Sequence, residues 1–411
     1  MSSSLDYDLL IAGGGLVGGS LALALAPRSL RIGIIEATPP TGTSEPPNAD
    51  TDSRAIALAF SSRRILESIG CWSTIAPKAI PIHHIHISNR GHFGVTRLDT
   101  TQASLPALGY VVRMEVLTQA IYQQLKKFAQ IEFIRPAKII NIINNAEKIQ
   151  VQITSQTHIQ TLSTQLLVVA EGGHSLTRQL LQIPVYQKDY GQTVITTNVA
   201  TERSHQYTAF ERFTDTGPLA LLPLNEGYSN VVWTVKNAQA PYLTAVNDKI
   251  FLSLLQQRFG RRLGRLIRTS KRYAYPLQLL WAQQQITHRA VLIGNAAHNL
   301  HPVAGQGFNL GLRDVAALAE MIADAHKVGQ DYGSLDALST YTKWRYRDQC
   351  LVTKFTDSLI YLFSNDYPVL SQSRGLGLTA LDLIPPLKQL LIRQATGLLG
   401  QQPRLTRGLA L

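Results

Sequence analysis

Sulfur is scarce in this chain of 411 residues, which carries two cysteines and three methionines. Cys71 and Cys350 lie far apart and form no CxxC, excluding a disulfide framework and a thiolate metal site and fitting a reducing cytoplasm. Charge is also sparse, at 16% of residues, and acidic groups are the minority: 27 Asp and Glu against 39 Lys and Arg, a formal net charge of +12. That surplus suits an anionic neighbour. The basic residues are scattered, however, with no zinc-finger, RNA-recognition or helix-turn-helix signature, so nucleic acid is not the expected partner. No GxSxG elbow occurs, which removes the usual serine hydrolase. No internal repeat or low-complexity tract is present. Leu9 to Pro27 is uncharged, but Asp6 and Asp8 stand where a signal peptide has basic residues, and Gly13, Gly14, Gly15, Gly18 and Gly19 crowd a stretch that a spanning helix fills with Leu and Val. Any membrane contact is therefore expected to be peripheral.

What is present is a strong local pattern. Leu9 to Ala12 reads as a buried parallel strand, Leu16 to Ala26 as a crossover helix, and Arg31 to Glu36 as the next strand. Between the first two lies Gly13-x-Gly15-x-x-Gly18, spaced for a tight turn, a close backbone approach and close helix packing, with a pyrophosphate at the helix N-terminus. Glu36 follows Gly18 by eighteen residues, where a carboxylate accepts ribose hydroxyls. This unit binds a dinucleotide and by itself does not choose between NAD and FAD.

A second cradle lies far downstream. Gly294-Asn295-Ala296-Ala297-His298, His301-Pro302 and Gly305-Gln306-Gly307-Phe308-Asn309 lead into an amphipathic segment from Leu310 to Met321. A loop of small residues running into a helix start offers free N–H groups and a positive dipole end, and Pro302 and Gly305 permit flat contact with a ring. His298 and His301 have no carboxylate beside them at ligand spacing, so no metal is expected. Two separate cradles for one large nucleotide point to a flavin, adenosine half at the first and ring at the second.

Between them, the sequence alternates in short strands. Ile80 to Leu98 reads as strands leaving the nucleotide core for a second sheet, Arg113 to Phe128 as a helix, and Leu166 to Ala170 as a returning core strand. Thr193 to Thr234 is strand-rich, with a hairpin at Asn225-Glu226-Gly227, and the chain beyond Gly307 is mainly helical. The fold class is α/β: a Rossmann-like FAD-binding domain with an inserted antiparallel-sheet substrate domain and a C-terminal helical region. The expected division is 1–78, 101–180 and 286–335 for the FAD-binding domain, 79–100 and 181–285 for the substrate domain, and 336–411 for the helical region.

Taken together these motifs resemble the FAD-dependent aromatic monooxygenases of the para-hydroxybenzoate hydroxylase fold, over nearly the whole chain. Asp52-Ser53-Arg54-Ala55-Ile56-Ala57-Leu58, Phe210-Glu211-Arg212-Phe213, Gly217-Pro218-Leu219-Ala220 and His301 to Asn309 are similar to the ubiquinone-biosynthesis branch. The resemblance implies that NAD(P)H reduces FAD, O2 forms a C4a-hydroperoxide, and the ring of a polyprenylated methoxyphenol is hydroxylated. It implies cofactor contacts from Gly13, Gly15, Gly18, Glu36, Arg54, Arg113, Glu171, Gly172, Asn295, Pro302, Gly305, Gln306, Gly307 and Asn309, and names no catalytic acid or base. Two departures stand out: Glu171-Gly172 where the family usually has Asp-Gly, and Gly294-Asn295 where it usually has Gly-Asp. The implied partners are the prenylated phenol, O2 and a quinone-biosynthesis complex, in the cytoplasm with peripheral contact at the inner membrane. Alternatives left open are a flavin hydroxylase of a soluble phenolic compound, a non-catalytic flavin-binding component of such a complex, and an NAD dehydrogenase.

Overall fold

The computed structural model describes residues 5–38, 54–155, 158–225, 227–300, 305–363 and 368–411. Most of the loop expected at Thr38 to Asp52 falls outside them, as do His301 and Pro302. The first strand, Tyr7–Ala12, is the centre of a sheet in which Thr164–Val169 and Ile32–Ile35 flank it in parallel. Ala290–Leu292 extends the sheet beyond the first neighbour and Ile131–Ile134 beyond the second, both parallel. Where a strand is buried on both faces its residues are apolar, as Leu9 to Ala12 are here, and these four feed two cores. Leu9 and Ile11 pack with the helices Leu16–Leu25 and Gln306–Lys327, whereas Leu10 and Ala12 pack under the antiparallel strands Lys138–Asn144 and Ile149–Ser155.

Gly13, Glu36, Glu171 and Gly294 all stand just past the carboxyl ends of these parallel strands, the edge where open α/β sheets bind ligands. Two of the turns need glycine for steric reasons. Gly13 has φ +103°, and a Cβ there would fall 2.7 Å from the Ala170 carbonyl oxygen; a Cβ on Gly18 would fall 2.0 Å from the Gly13 oxygen.

A second, nine-stranded sheet is built mainly from residues 185–282. His84–Asn89 pairs in parallel with Thr208–Thr214 at its edge and Val95–Asp99 pairs with His84–Asn89, so these early strands do leave for the second sheet. Ile80–Ile82 does not follow them. It joins Gly109–Arg113 and Ala55–Ala59 in a three-stranded sheet between the two larger ones. Arg113 ends that strand, and the helix starts one residue later, at Met114.

Alternation along the second sheet separates two environments. Leu219, Leu221, Val231 and Trp233 face the helix Asp248–Phe259, where Phe251, Leu255 and Phe259 complete a core. Ala220, Leu222 and Val232 face the other way, toward a cavity that the C-terminal helices close. Those helices are Leu335–Phe363, Pro368–Leu383 and Pro385–Ala395. Ile392 of the third packs against Leu98 and Leu108, bracing it on the body of the chain. Among the described residues no single helix is long and apolar enough to cross a membrane; Arg374–Leu383 with Pro385–Ala395 meets the length and composition only as a pair, bent by 94°.

Candidate cofactor and substrate site

One cavity of about 1360 Å3 runs from the first glycine turn, past the 294–309 loop, to the C-terminal helices. It exceeds the ~300–1,000 Å3 of an ordinary small-molecule pocket, which suits a dinucleotide and a second ligand together. Gly13, Gly15, Glu36, Glu171, Gly172, Asn295, Gly305, Gln306, Gly307 and Asn309 all line it. Gly18 lies beneath the turn, and Arg54 and Arg113 are not in the wall. Those two arginines sit near each other at one end of the three-stranded sheet, where Ala55 pairs with Arg113; Arg54 stacks 5.6 Å over Tyr275, and Arg113 is 3.9 Å from Glu115.

Helix starts at both ends of the cradle are open. Leu16–Leu25 begins at Gly15 and Gln306–Lys327 at Gly305, and neither N-cap supplies a side-chain hydrogen bond. Their first N–H groups are therefore left for a ligand, at the positive ends of the helix dipoles. Among the described residues a Cβ on Gly15 or Gly307 would meet nothing within 4 Å, so none of their atoms requires glycine at either place. The open space beside Gly15 fits a pyrophosphate drawn against the backbone, and that beside Gly307 fits a flat ring. Glu36 accepts hydrogen bonds from the Gly14 N–H (2.8 Å) and the Thr38 N–H (2.9 Å). A carboxylate has about four lone-pair positions, so acceptor capacity remains for ribose hydroxyls.

The loops are held by polar side chains that spend their bonds inward. Glu171 accepts from the Ser175 hydroxyl at 2.6 Å, the Thr177 hydroxyl at 2.7 Å and the Thr177 N–H at 3.0 Å, so it shapes the turn into the helix Leu176–Leu180. Arg178 donates to the Ala296 and Gly173 carbonyl oxygens, 2.9 Å each, tying that turn to the ring loop. The Asn309 amide donates to the Ala57 and Gly305 oxygens and accepts from the Ala59 N–H and the Ser62 hydroxyl. Asn295, by contrast, is exposed to the cavity, where a neutral amide offers both a donor and an acceptor.

The centre of this bracing escaped the sequence reading. Asp314 is fully buried, and one carboxylate oxygen accepts from His298 Nε2 (2.6 Å) and the Gly294 N–H (3.2 Å). The other accepts from Arg345 Nε at 2.8 Å and Gln349 Nε2 at 2.9 Å. Burial alone would raise the Asp314 pKa; the adjoining His298 and Arg345 outweigh it and hold the carboxyl well below its ordinary range. The available signal was Arg313-Asp314, a pair of charges inside an apolar helical run. His298 thus serves a carboxylate, and no group of three potential metal ligands occurs among the described residues.

Residues 6–355 match the family described as FAD binding domain. The chain is 36% identical to ubiquinone hydroxylase UbiL of Rhodospirillum rubrum, covering 98% of this chain and 93% of that protein. It is 30% identical to 3-demethoxyubiquinol 3-hydroxylase of Escherichia coli, covering 95% and 98%. Among solved structures, p-nitrophenol 4-monooxygenase PnpA from Pseudomonas putida superposes with a TM-score of 0.79 over 97% of this chain and all of that one, at 18% identity, and so shares the fold.

Two measurements separate scaffold from ligand contacts. Gly15→Val is expected to keep the thermal stability of the cofactor-free protein and lose flavin, whereas Gly18→Ala should destabilise the fold itself by about 1–3 kcal/mol. Full flavin occupancy in Gly15→Val would remove the pyrophosphate contact. Asp314→Asn should cost about 3–5 kcal/mol in urea denaturation, because it leaves Arg345 and His298 facing a neutral group in the interior. Since the folded-state pKa of Asp314 is depressed, its stabilisation is complete above the unfolded value of about 3.9 and is lost as pH falls toward the folded value. Wild type should therefore lose stability more steeply than Asp314→Asn below about pH 4.

Proposed function

The chain belongs to the FAD binding domain family, and from that membership we propose that it is a monooxygenase that hydroxylates the aromatic ring of a polyprenylated methoxyphenol in ubiquinone biosynthesis. Bound FAD supplies the redox chemistry, accepting electrons from NAD(P)H and activating O2. The observation that carries the substrate reading is the continuity of the cavity: its nucleotide end opens directly onto an apolar wall made by Ile85, Ile87, Ala220, Leu222 and Val232. Such a wall gives an isoprenoid tail a long apolar hold.

In this reading the Gly15 backbone and the start of the helix Leu16–Leu25 receive the pyrophosphate, Glu36 the adenosine ribose, and Asn295 the ribityl chain. Amides at Gln306 and Gly307 stabilise negative charge on the ring edge. Arg54 and Arg113 act from the rim. The rest of the protein orients the phenol and keeps water away. Tail burial adds binding energy at about 25 cal/mol per Å2 of apolar surface.

The exposed residues Leu383, Ile384, Leu387 and Leu390 cluster where the bent helix pair turns, beside Lys388. Leu387 and Leu390 also line the cavity. These features support peripheral contact with an anionic bilayer from which the prenylated substrate enters.

Three results test the reading. Acid precipitation should release the flavin into the supernatant, because the cradles hold it without a covalent bond; a yellow pellet would contradict this. Across a series of 6-methoxyphenols of decreasing tail length, kcat/KM should fall steadily. Equal turnover of the tailless phenol would transfer the assignment to a soluble phenolic substrate, with the wall residue Arg374 as the group to test next. Replacing Leu383 and Ile384 by Ser, neither of which lines the cavity, should reduce co-sedimentation with phosphatidylglycerol vesicles while leaving turnover of a detergent-solubilised substrate unchanged.

A further inference from the structure

Beyond the nucleotide end, the sheet face of the cavity presents a row of side chains that register fixes side by side. Ile87 pairs with Glu211, Glu211 with Ala220, and Ala220 with Val232. All four line the cavity. Three are aliphatic and one is a carboxylic acid. The two strand neighbours of Glu211 have partners on the helix side: Phe210, which also borders the cavity, packs edge-on against Phe259, and Arg212 donates to the Arg258 oxygen. Glu211 is therefore committed to the cavity.

Nothing among the described residues accounts for an acid there. Among the described residues its carboxyl takes no hydrogen bond or ion pair, and burial is the sole influence on its ionisation, raising its pKa to about 7. Of the other charged or titratable side chains in the wall, Glu36, Lys138, Glu171 and His174 belong to the nucleotide end, and Arg374 comes from the helix Pro368–Leu383 that covers the sheet. The latter helix presents no carboxylate or histidine to the cavity among the described residues. An uncompensated acid on an apolar wall is costly unless a ligand uses it.

Its place along the strand also matters. Ala209, two residues earlier, shares a cluster with Ala57, and a Cβ on Gly305 would lie 3.2 Å from the Ala57 methyl. Glu211 is thus ~7 Å farther along the strand from the part of the wall that meets the ring loop. That is the span a substrate ring would occupy.

We propose that Glu211 is the proton acceptor for the hydroxyl group of the bound phenol, an inference that rests on the monooxygenase reading. As the ring is oxygenated its O–H bond breaks, the proton passes to the Glu211 carboxylate, and the O–H electron pair moves into the ring, which becomes a dienone at that carbon. When the ring carbon then loses its hydrogen as a proton to solvent and aromaticity returns, Glu211 gives its proton back to the same oxygen. O2 is the oxidant and the source of the inserted oxygen atom, and NAD(P)H supplies the two electrons that take the second oxygen atom to water; the glutamate carries only the proton. An acid whose pKa lies near the working pH is matched to both directions of that transfer.

The test uses the FAD-loaded protein. Glu211→Gln should retain FAD and its reduction by NAD(P)H, yet form hydroxylated product ~100-fold more slowly, and should lose the rise of kcat/KM that wild type shows through pH values of about 7. Independently of turnover, the prenylated methoxyphenol and its O-methyl ether are titrated against the flavin absorbance at roughly pH 8, where the Glu211 carboxyl is ionised. Wild type should prefer the phenol by roughly fivefold or more and Glu211→Met should not, since one hydrogen bond to a charged group is lost. Equal affinity of wild type for phenol and ether overturns the proposal, as does Glu211→Gln turnover within about threefold of wild type with the same pH profile. Absence of hydroxylated product from wild type refutes the functional reading instead, and the affinity comparison still decides the role of Glu211.

Discussion

Everything about this site depends on a buried carboxylate. Asp314 collects an imidazole, a guanidinium, a side-chain amide and a main-chain N–H around two oxygens, and those four donors come from the ring loop and from the helix Leu335–Phe363. An ion in the interior is tolerable only when its surroundings are arranged to satisfy it, so the arrangement is enforced by the cost of disturbing it. The loop after Ala290–Leu292 is held against the helix Gln306–Lys327, and the opening amides of that helix are left pointing into the cavity. Arg178 and Asn309 repeat the device on a smaller scale, each spending buried polar atoms on the carbonyls of neighbouring turns. The outcome is a cradle whose turns are tied to one another and whose two helix starts open on the same space.

The glycines divide along the same line. Gly13 and Gly18 are demanded by neighbouring main chain, and Gly15 and Gly307 by nothing among the described residues. A residue without a side chain where a side chain would fit marks a surface reserved for something else. The nine-stranded sheet makes an equivalent division by strand alternation, sending one set of apolar residues to a helix-covered core and the other to the ligand.

How much of this was legible in the sequence follows from the range of the interactions. The strand, glycine turn, helix and Glu36 lie within some thirty consecutive residues, and their periodicity and spacing are local properties. The departure of His84–Asn89 for the second sheet was readable from alternation; the separate pairing of Ile80–Ile82 was not, because nothing in three residues distinguishes one sheet from another. Asp314 lies 31 residues from Arg345 and 35 from Gln349, and the charge pair at 313–314 announces an ion without naming its partners. Glu211 was visible as part of a motif, but its face could be assigned only once the register of its neighbours was known. Asn295 and Glu171 look alike as departures from the family pattern and both line the cavity, yet the Glu171 carboxylate is already engaged by Ser175 and Thr177.

The parallel sheet also imposes an order of assembly. Tyr7–Ala12 finds its partner on one side at Ile32–Ile35, soon after synthesis, but its other edge waits for Thr164–Val169, and that strand in turn waits for Ala290–Leu292. Each wait is a long stretch of chain to be closed before any pairing rewards it, which makes folding slow and leaves an apolar edge unpaired during translation. A nascent chain from which residue 300 has not yet emerged carries the adenosine half of the cradle and no ring half. In the cell, FAD is thus a late arrival: firm capture follows the completion of the sheet, and flavin supply acts on the survival of the finished fold more than on its formation.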